Sequence, residues 1–193
     1  IAVKNMFASG NLGYSLVKGG LFHHAIGVAV LAELLARKTG RTHEFSAYTA
    51  GLLHDIGKIA LDQLVADSAP MFYRNLQDHR TGILELENRL MGTDHTRVGR
   101  TLAERWNLPS RIIYAIAHHH TPEKSDSDAG IVETVALANA LFHMFHVGPE
   151  LTFVNHDQIG RLMQNMGLSA SDFPGIVDMI PGKILTSTPE TIL

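Results

Sequence analysis

Residues 43–66 read HEFSAYTAGLLHDIGKIALDQLVA, and this stretch decides the fold class. Apolar side chains recur through it at three- and four-residue steps, the period of a helix with one buried face. Runs of β-branched residues alternating with polar ones, which would mark half-buried strands, are missing here and along the rest of the chain. The same helical period predicts, besides 43–66 itself, helices over about 21–38, 70–91, 94–106, 109–120, 128–147, 156–166 and 170–179. The expected fold is all-α, a helical bundle.

Punctuation supports these boundaries. Gly40 follows Arg37 and Lys38 as a helix stop, Thr93 and Asp94 open a helix after Gly92, and Asn107 ahead of Leu108-Pro109 closes it. Ser169 with Asp172 three residues on has the form of a capping box, and Gly167 ends the helix before it. Residues 121–130, TPEKSDSDAG, read as a surface loop. The first twenty residues, with four Gly, carry no clear period.

Composition narrows the class. The 193 residues are 45% hydrophobic and 18% charged with only 7 Pro, which excludes a disordered chain, a collagen-like repeat and a small disulfide-stapled domain. The absence of Cys removes disulfides, thiolate ligands and a cysteine nucleophile. Sixteen Lys and Arg against nineteen Asp and Glu leave a net charge of −3 with no basic run, so neither nucleic acid nor a membrane surface is an expected partner. No uninterrupted apolar stretch reaches the roughly 18 residues of a membrane span, and the start lacks a signal-peptide pattern, so a cytoplasmic location is expected. Because the chain begins at Ile1, it is expected to be cut from something longer; residues 1–20 would be the end of an upstream helical region, 21–147 a metal-binding core and 148–193 a helical extension packed on it.

Histidine is the unusual component: 12 His outnumber 8 Phe and 4 Tyr. At about 100° per residue, His24 lies about 180° from Glu33 on the helix over 21–38, in line with Val28, Leu31 and Leu35, whereas His23 lies only about 80° from Glu33. On the helix after Pro109, His119 and His120 fall on the arc of Ile112, Ile113 and Ile116, while His118 falls beside Arg111. His95 continues the Val98/Leu102 face, with Gly99 allowing close approach of another backbone or a ligand. His54 and Asp55 follow Leu52-Leu53 in a helix too apolar to expose them, with Lys58 one turn on. His23, His43, His79, His118, His143, His146 and His156 are assigned no role, and Met163 and Met166 read as core filler.

A single inward histidine is ordinarily a hydrogen-bonded core residue. Five imidazoles and a carboxylate from four helices are different: each would be costly to bury alone, and a divalent cation is the economical common partner. Nitrogen and oxygen ligation without thiolate suits Fe, Mn, Zn, Ni or Co, and a carboxylate such as Asp55 can bridge two metals in a clamp suited to phosphoryl chemistry.

At Gly51-Leu-Leu-His54-Asp55-Ile-Gly-Lys58 the chain resembles the HD superfamily of metal-dependent phosphohydrolases. The wider pattern of FHHAIGVAVLAELLA, GLLHDIGK, Glu87 ahead of GTDHTRVGRTLAERWNLP, and IIYAIAHHHTPE is similar to the HDOD branch, bacterial signalling and regulatory modules related to the HD-GYP phosphodiesterases. The resemblance, over about residues 20–145, implies an HD-domain-like bundle with its metal site in the core. It implies His24 as the leading metal ligand, His54 and Asp55 as paired ligands, and Asp55 bridging to a second metal held by His95, His119 and His120. It further implies Lys58 as the group that holds the phosphate, and two divalent transition-metal ions, Fe or Mn ahead of Ni, Zn or Co. Asn139 stands where the superfamily has a closing aspartate; its amide oxygen can coordinate but carries no charge, so the first metal would be held less tightly. Gly20 replaces a glutamate that holds a third metal in some relatives, and no GYP-like tripeptide follows His120, so cyclic-di-GMP hydrolysis is not implied.

Two functions follow as expectations. One is a signalling domain with metal-dependent phosphohydrolase or phosphodiesterase activity on a nucleotide or another small phosphate ester, with Asp55 and Lys58 as the catalytic side chains: two cations would polarise the phosphoryl oxygens and activate water, Asp55 would orient the nucleophile and Lys58 would neutralise developing charge. The other is a non-enzymatic regulatory module that keeps the metal pocket and acts through signalling protein partners.

Overall fold

The computed structural model describes residues 13–15, 19–77, 82–125, 127–144, 156–182 and 184. Among them, every regular element is helical. In chain order these are α1 (Gly20–Thr39), α2 (Glu44–Leu53), α3 (Ile56–Asp67), α4 (Ala69–Gln77), α5 (Ile83–Met91), α6 (His95–Arg105), α7 (Ser110–His118), α8 (Ala129–Met144), α9 (His156–Asn165) and α10 (Phe173–Met179), with short 3-10 turns at Pro122–Lys124 and Ala170–Asp172.

Two of the predicted helices are each divided in two. The helix expected over 43–66 ends at Leu53 and restarts at Ile56. His54 and Asp55 occupy this turn, where Asp55 leaves helical geometry (φ −102°, ψ 18°), and both side chains are buried. The helix expected over 70–91 likewise divides into α4 and α5: Gly82 is extended and precedes α5, and residues 77–82, QDHRTG, offer no apolar side chain to carry a buried face across. The other stops behave as expected. Gly40 and Gly92 end their helices in the left-handed conformation, the Asp94 side chain accepts from the Thr96 and Arg97 amides, and the Ser169/Asp172 capping box is present.

Helices α1, α2, α7 and α8 pack on one another around the main core, which includes Val28, Leu31, Leu35, Ile116, Leu137 and Phe142; α9 and α10 add Leu162, Met163 and Ile176 to it. A second apolar cluster joins Tyr14 to Leu61, Val65, Phe72, Ile83 and Leu86. α1 has the length and apolarity to cross a membrane, but 61% of its apolar window is buried within the bundle.

Close backbone approaches set the register between helices. A Cβ on Gly51 would stand 2.8 Å from the Ala29 Cα, so α2 lies directly on α1. One on Gly57 would collide with the His95 carbonyl oxygen and stand 2.7 Å from the Gly99 amide, so α3 and α6 meet main chain to main chain. Gly99 thus admits a neighbouring backbone.

Candidate metal centre

These contacts bring to one point the ends of several helices. His24 comes from the first turns of α1, His54 and Asp55 from the break between α2 and α3, His95 opens α6, and His119 and His120 follow α7. His24, His54, Asp55, His95 and His119 are all buried, and His120 is half-buried. Asp55 lies at the centre. Its Oδ2 is 3.2 Å from His54 Nε2 and 3.8 Å from His24 Nε2; its Oδ1 is 3.4 Å from both His95 Nε2 and His119 Nε2. The donor atoms form two sets, His24/His54/Asp55 and Asp55/His95/His119/His120, each with all members within 4.8 Å of one another. Ligands about 2.1 Å from one ion lie at most about 4.2 Å apart, so both sets are near the span of a coordination sphere.

Hydrogen bonds on the far side of the rings fix which nitrogen faces inward. His54 Nδ1 donates to the Gly51 carbonyl at 2.6 Å and His119 Nδ1 to the Ile116 carbonyl at 3.0 Å; a carbonyl only accepts, so each Nε2 is left with its lone pair toward Asp55. His95 Nδ1 donates to Glu87 at 2.7 Å, with the same result. Metal-binding histidines are held in this way. The fit to a cation is sharpened by what stays unmatched: His54 Nε2, Asp55 Oδ1 and His120 Nε2 are buried with no hydrogen-bond partner among the described residues, an arrangement that costs about 1–3 kcal/mol per group unless something meets them. The described residues therefore offer a buried His/Asp group that can hold a metal.

The electrostatics agree. Burial pushes the Asp55 carboxyl up, but the facing His54 imidazole and the Lys58 ammonium outweigh it and hold the group well below the usual carboxylate range. Lys58, itself buried, donates to Asp55 Oδ2 at 2.9 Å. Burial lowers His119 to about 4 and is the largest cause of His120 falling well below the ordinary value, followed by the neighbouring His119. Those two rings are thus neutral near pH 7, the form that ligates.

A family model for the HDOD domain matches residues 1–122. The chain belongs to the HDOD family. An uncharacterized protein of Treponema pallidum is 29% identical to this HDOD chain over 126 residues, 62% of the chain and 24% of the relative. A ribonuclease Y of Thermus thermophilus is 33% identical over 118 residues, 61% of the chain and 15% of the relative. The chain thus spans a quarter or less of these relatives. Among solved structures, an HDOD domain protein of unknown function from Geobacter sulfurreducens superposes with a TM-score of 0.72 at 27% identity, covering 95% of this chain and 66% of that one. A putative phosphohydrolase from Shewanella amazonensis shares the fold at a TM-score of 0.64 and 19% identity, covering 86% of this chain and 63% of that one.

In this HDOD chain Asn139 is within the centre: its amide oxygen accepts from His24 Nε2 at 2.9 Å. Other residues matter that the sequence reading left without a role. Glu87 is fully buried; besides the His95 ring it accepts the His95 backbone amide at 2.8 Å and the Tyr14 hydroxyl at 2.7 Å. Burial raises this carboxyl too, but His95, Lys58 and Tyr14 together bring it below its ordinary value. Glu87 occupies the apolar face of α5 beside Ile83 and Leu86, a misplaced carboxylate that is itself a sequence signal. His143 is buried with its ring centroid 4.9 Å from that of His24. His23, expected nearer the polar face, is also buried, and its Nε2 donates to the Ile184 carbonyl at 3.0 Å. Of the remaining histidines, His43 and His156 are exposed, His118 is half-buried beside Tyr114, and His79 and His146 lie outside the described residues. A cavity of about 530 Å³ adjoins His120 and is lined also by Pro122, Glu133, Gln158, Arg161 and Leu162.

Proposed function

We propose that this chain is the metal-binding part of a signalling protein and a metal-dependent phosphohydrolase or phosphodiesterase acting on a nucleotide or another small phosphate ester. One observation carries the reading: Asp55, buried and ionised, stands between two sets of inward-facing imidazoles, with its Oδ1 left without a hydrogen-bond partner. In this reading His24, His54, Asp55 and Asn139 hold one cation, and Asp55, His95, His119 and His120 hold a second, with Fe or Mn preferred to Ni, Zn or Co. Such cations, when bound, supply Lewis-acid chemistry, polarising phosphoryl oxygens and making water more acidic.

The protein's own groups do the rest. Asp55 accepts hydrogen bonds at the reacting point and orients the attacking water. Lys58, held 2.9 Å from Asp55 Oδ2, brings a fixed positive charge to the phosphoryl group as negative charge builds on it. The buried rings keep bulk water from the reacting atoms, which strengthens each of these interactions. The cavity beside His120 takes the remainder of the ester, with Arg161, which has no ion-pair partner among the described residues, facing it.

The relatives named ribonuclease Y act, by that name, on RNA. The charge balance argues against a broad basic surface for nucleic acid, but a short RNA end is a phosphodiester of the proposed class. A second reading, a non-enzymatic module acting through protein contacts, is favoured by one observation: Asn139 supplies no charge where the superfamily has a carboxylate. The deciding experiment assays metal-loaded chain against nucleotides, cyclic dinucleotides, short RNA and a generic phosphodiester, with metal content measured in parallel. Turnover that disappears in Asp55→Ala supports the enzyme; full metal occupancy with no turnover on any of them leaves the regulator.

A further inference from the structure

Among the described residues, His143 is a further buried group around the centre with nothing to bond. Its Nε2 is fully enclosed and has no hydrogen-bond partner among them, and its ring lies over that of His24, 4.9 Å between centroids and tilted by 34°. It stands one helical turn after Asn139 on α8, on the same face. An imidazole in this position is not filling space, since an apolar side chain would do so without the cost of an unmatched nitrogen.

The geometry separates two roles. The donor atoms of His24, His54 and Asp55 cluster within 4.8 Å, and His143 does not join that set, so it stands outside the coordination sphere those atoms define. Nor would a neutral ring restore the charge missing at Asn139. The neighbourhood instead suits an anion: a buried ammonium at Lys58, an uncharged amide where a carboxylate would repel, and an imidazole able to present an N–H at Nε2. We propose that His143 and Lys58 together form the phosphate-binding side of the centre, His143 Nε2 donating to a non-bridging phosphoryl oxygen. His143 is thus a substrate-contacting residue. The inference rests on the metal-dependent phosphohydrolase reading and adds a residue to it.

The test measures inorganic phosphate binding to the Mn²⁺-loaded chain by calorimetry, with bound metal counted by elemental analysis. His143→Leu should weaken phosphate binding about tenfold, the loss of one hydrogen bond to an anion, with metal content unchanged and the metal-free protein melting no lower than the wild type. His143→Gln, whose amide nitrogen reaches near the position of Nε2, should recover part of the affinity, and His143→Asn, one bond shorter, should not. This pair keeps the test decisive if the leucine variant fails to fold. Unchanged phosphate affinity in His143→Leu or His143→Asn overturns the proposal, as does a fall in bound metal, which would make His143 a ligand. A wild-type chain that holds no metal would overturn the parent reading as well, and that failure is visible before any variant is compared.

Discussion

On the side of the centre formed by His95, His119 and His120, a fully buried carboxylate stands behind the rings: Glu87 takes the His95 ring, the His95 amide and the Tyr14 hydroxyl. On the side formed by His24 and His54, the supports are uncharged: the Gly51 carbonyl behind His54, the Asn139 amide against His24, and the ring of His143. Asp55 is common to both. A negative outer group raises the basicity of the ring it holds and lowers the cost of a resident cation, whereas a neutral one leaves the site more positive and more receptive to an anion. On the reading proposed above, the difference teaches that both halves can hold a cation but only the second, with its neutral supports, is also suited to meeting a phosphate.

The largest effect should come from removing what the halves share. Asp55→Ala is expected to reduce metal affinity on both sides by more than about 100-fold, beyond the 10–100-fold typical of outer partners, and elemental analysis after gel filtration should find metal near background. Glu87→Gln tests the asymmetry: it should cost about 10–100-fold in the affinity of one ion only, read by competition with a chromogenic chelator, and an equal loss at both sites would break the comparison. Asn139→Asp sharpens it from the other side. A new negative charge beside His24 should tighten the weaker ion by about tenfold or more, while weakening phosphate binding. The smallest effect is expected at the cavity, where Arg161→Ala should raise KM for a nucleotide substrate by about two- to fivefold, the value of one exposed charged contact, with little change in kcat.

Much of this was legible in the sequence, for reasons that differ by residue. The helices could be read because their apolar residues keep a helical period, and their ends because Gly40, Gly92 and Asp94 have the required conformational or capping chemistry. The break at His54-Asp55 was not, since the apolar pattern continues across it from Leu53 to Ile56. The inward direction of His24, His119 and His120 followed from the polar faces of α1 and α7. On α8 that arithmetic has little to measure against: among Ala129–Met144 the one carboxylate is Glu133 and nearly the whole circumference is buried, so His143 could not be assigned a direction. Tyr14 and the burial of His23 depend on partners 73 and 161 residues away in the chain, separations that no local pattern encodes.

The contact of Gly57 with the α6 backbone at His95 and Gly99 has a consequence for how such a centre can change. With main chain touching main chain there is no intervening side chain to trim or enlarge, so the gap between Asp55 and His95 behaves as a ruler cut into the scaffold. Sequence drift around the rim can alter what enters and what is recognised, while the spacing across which any ion must reach stays the same length.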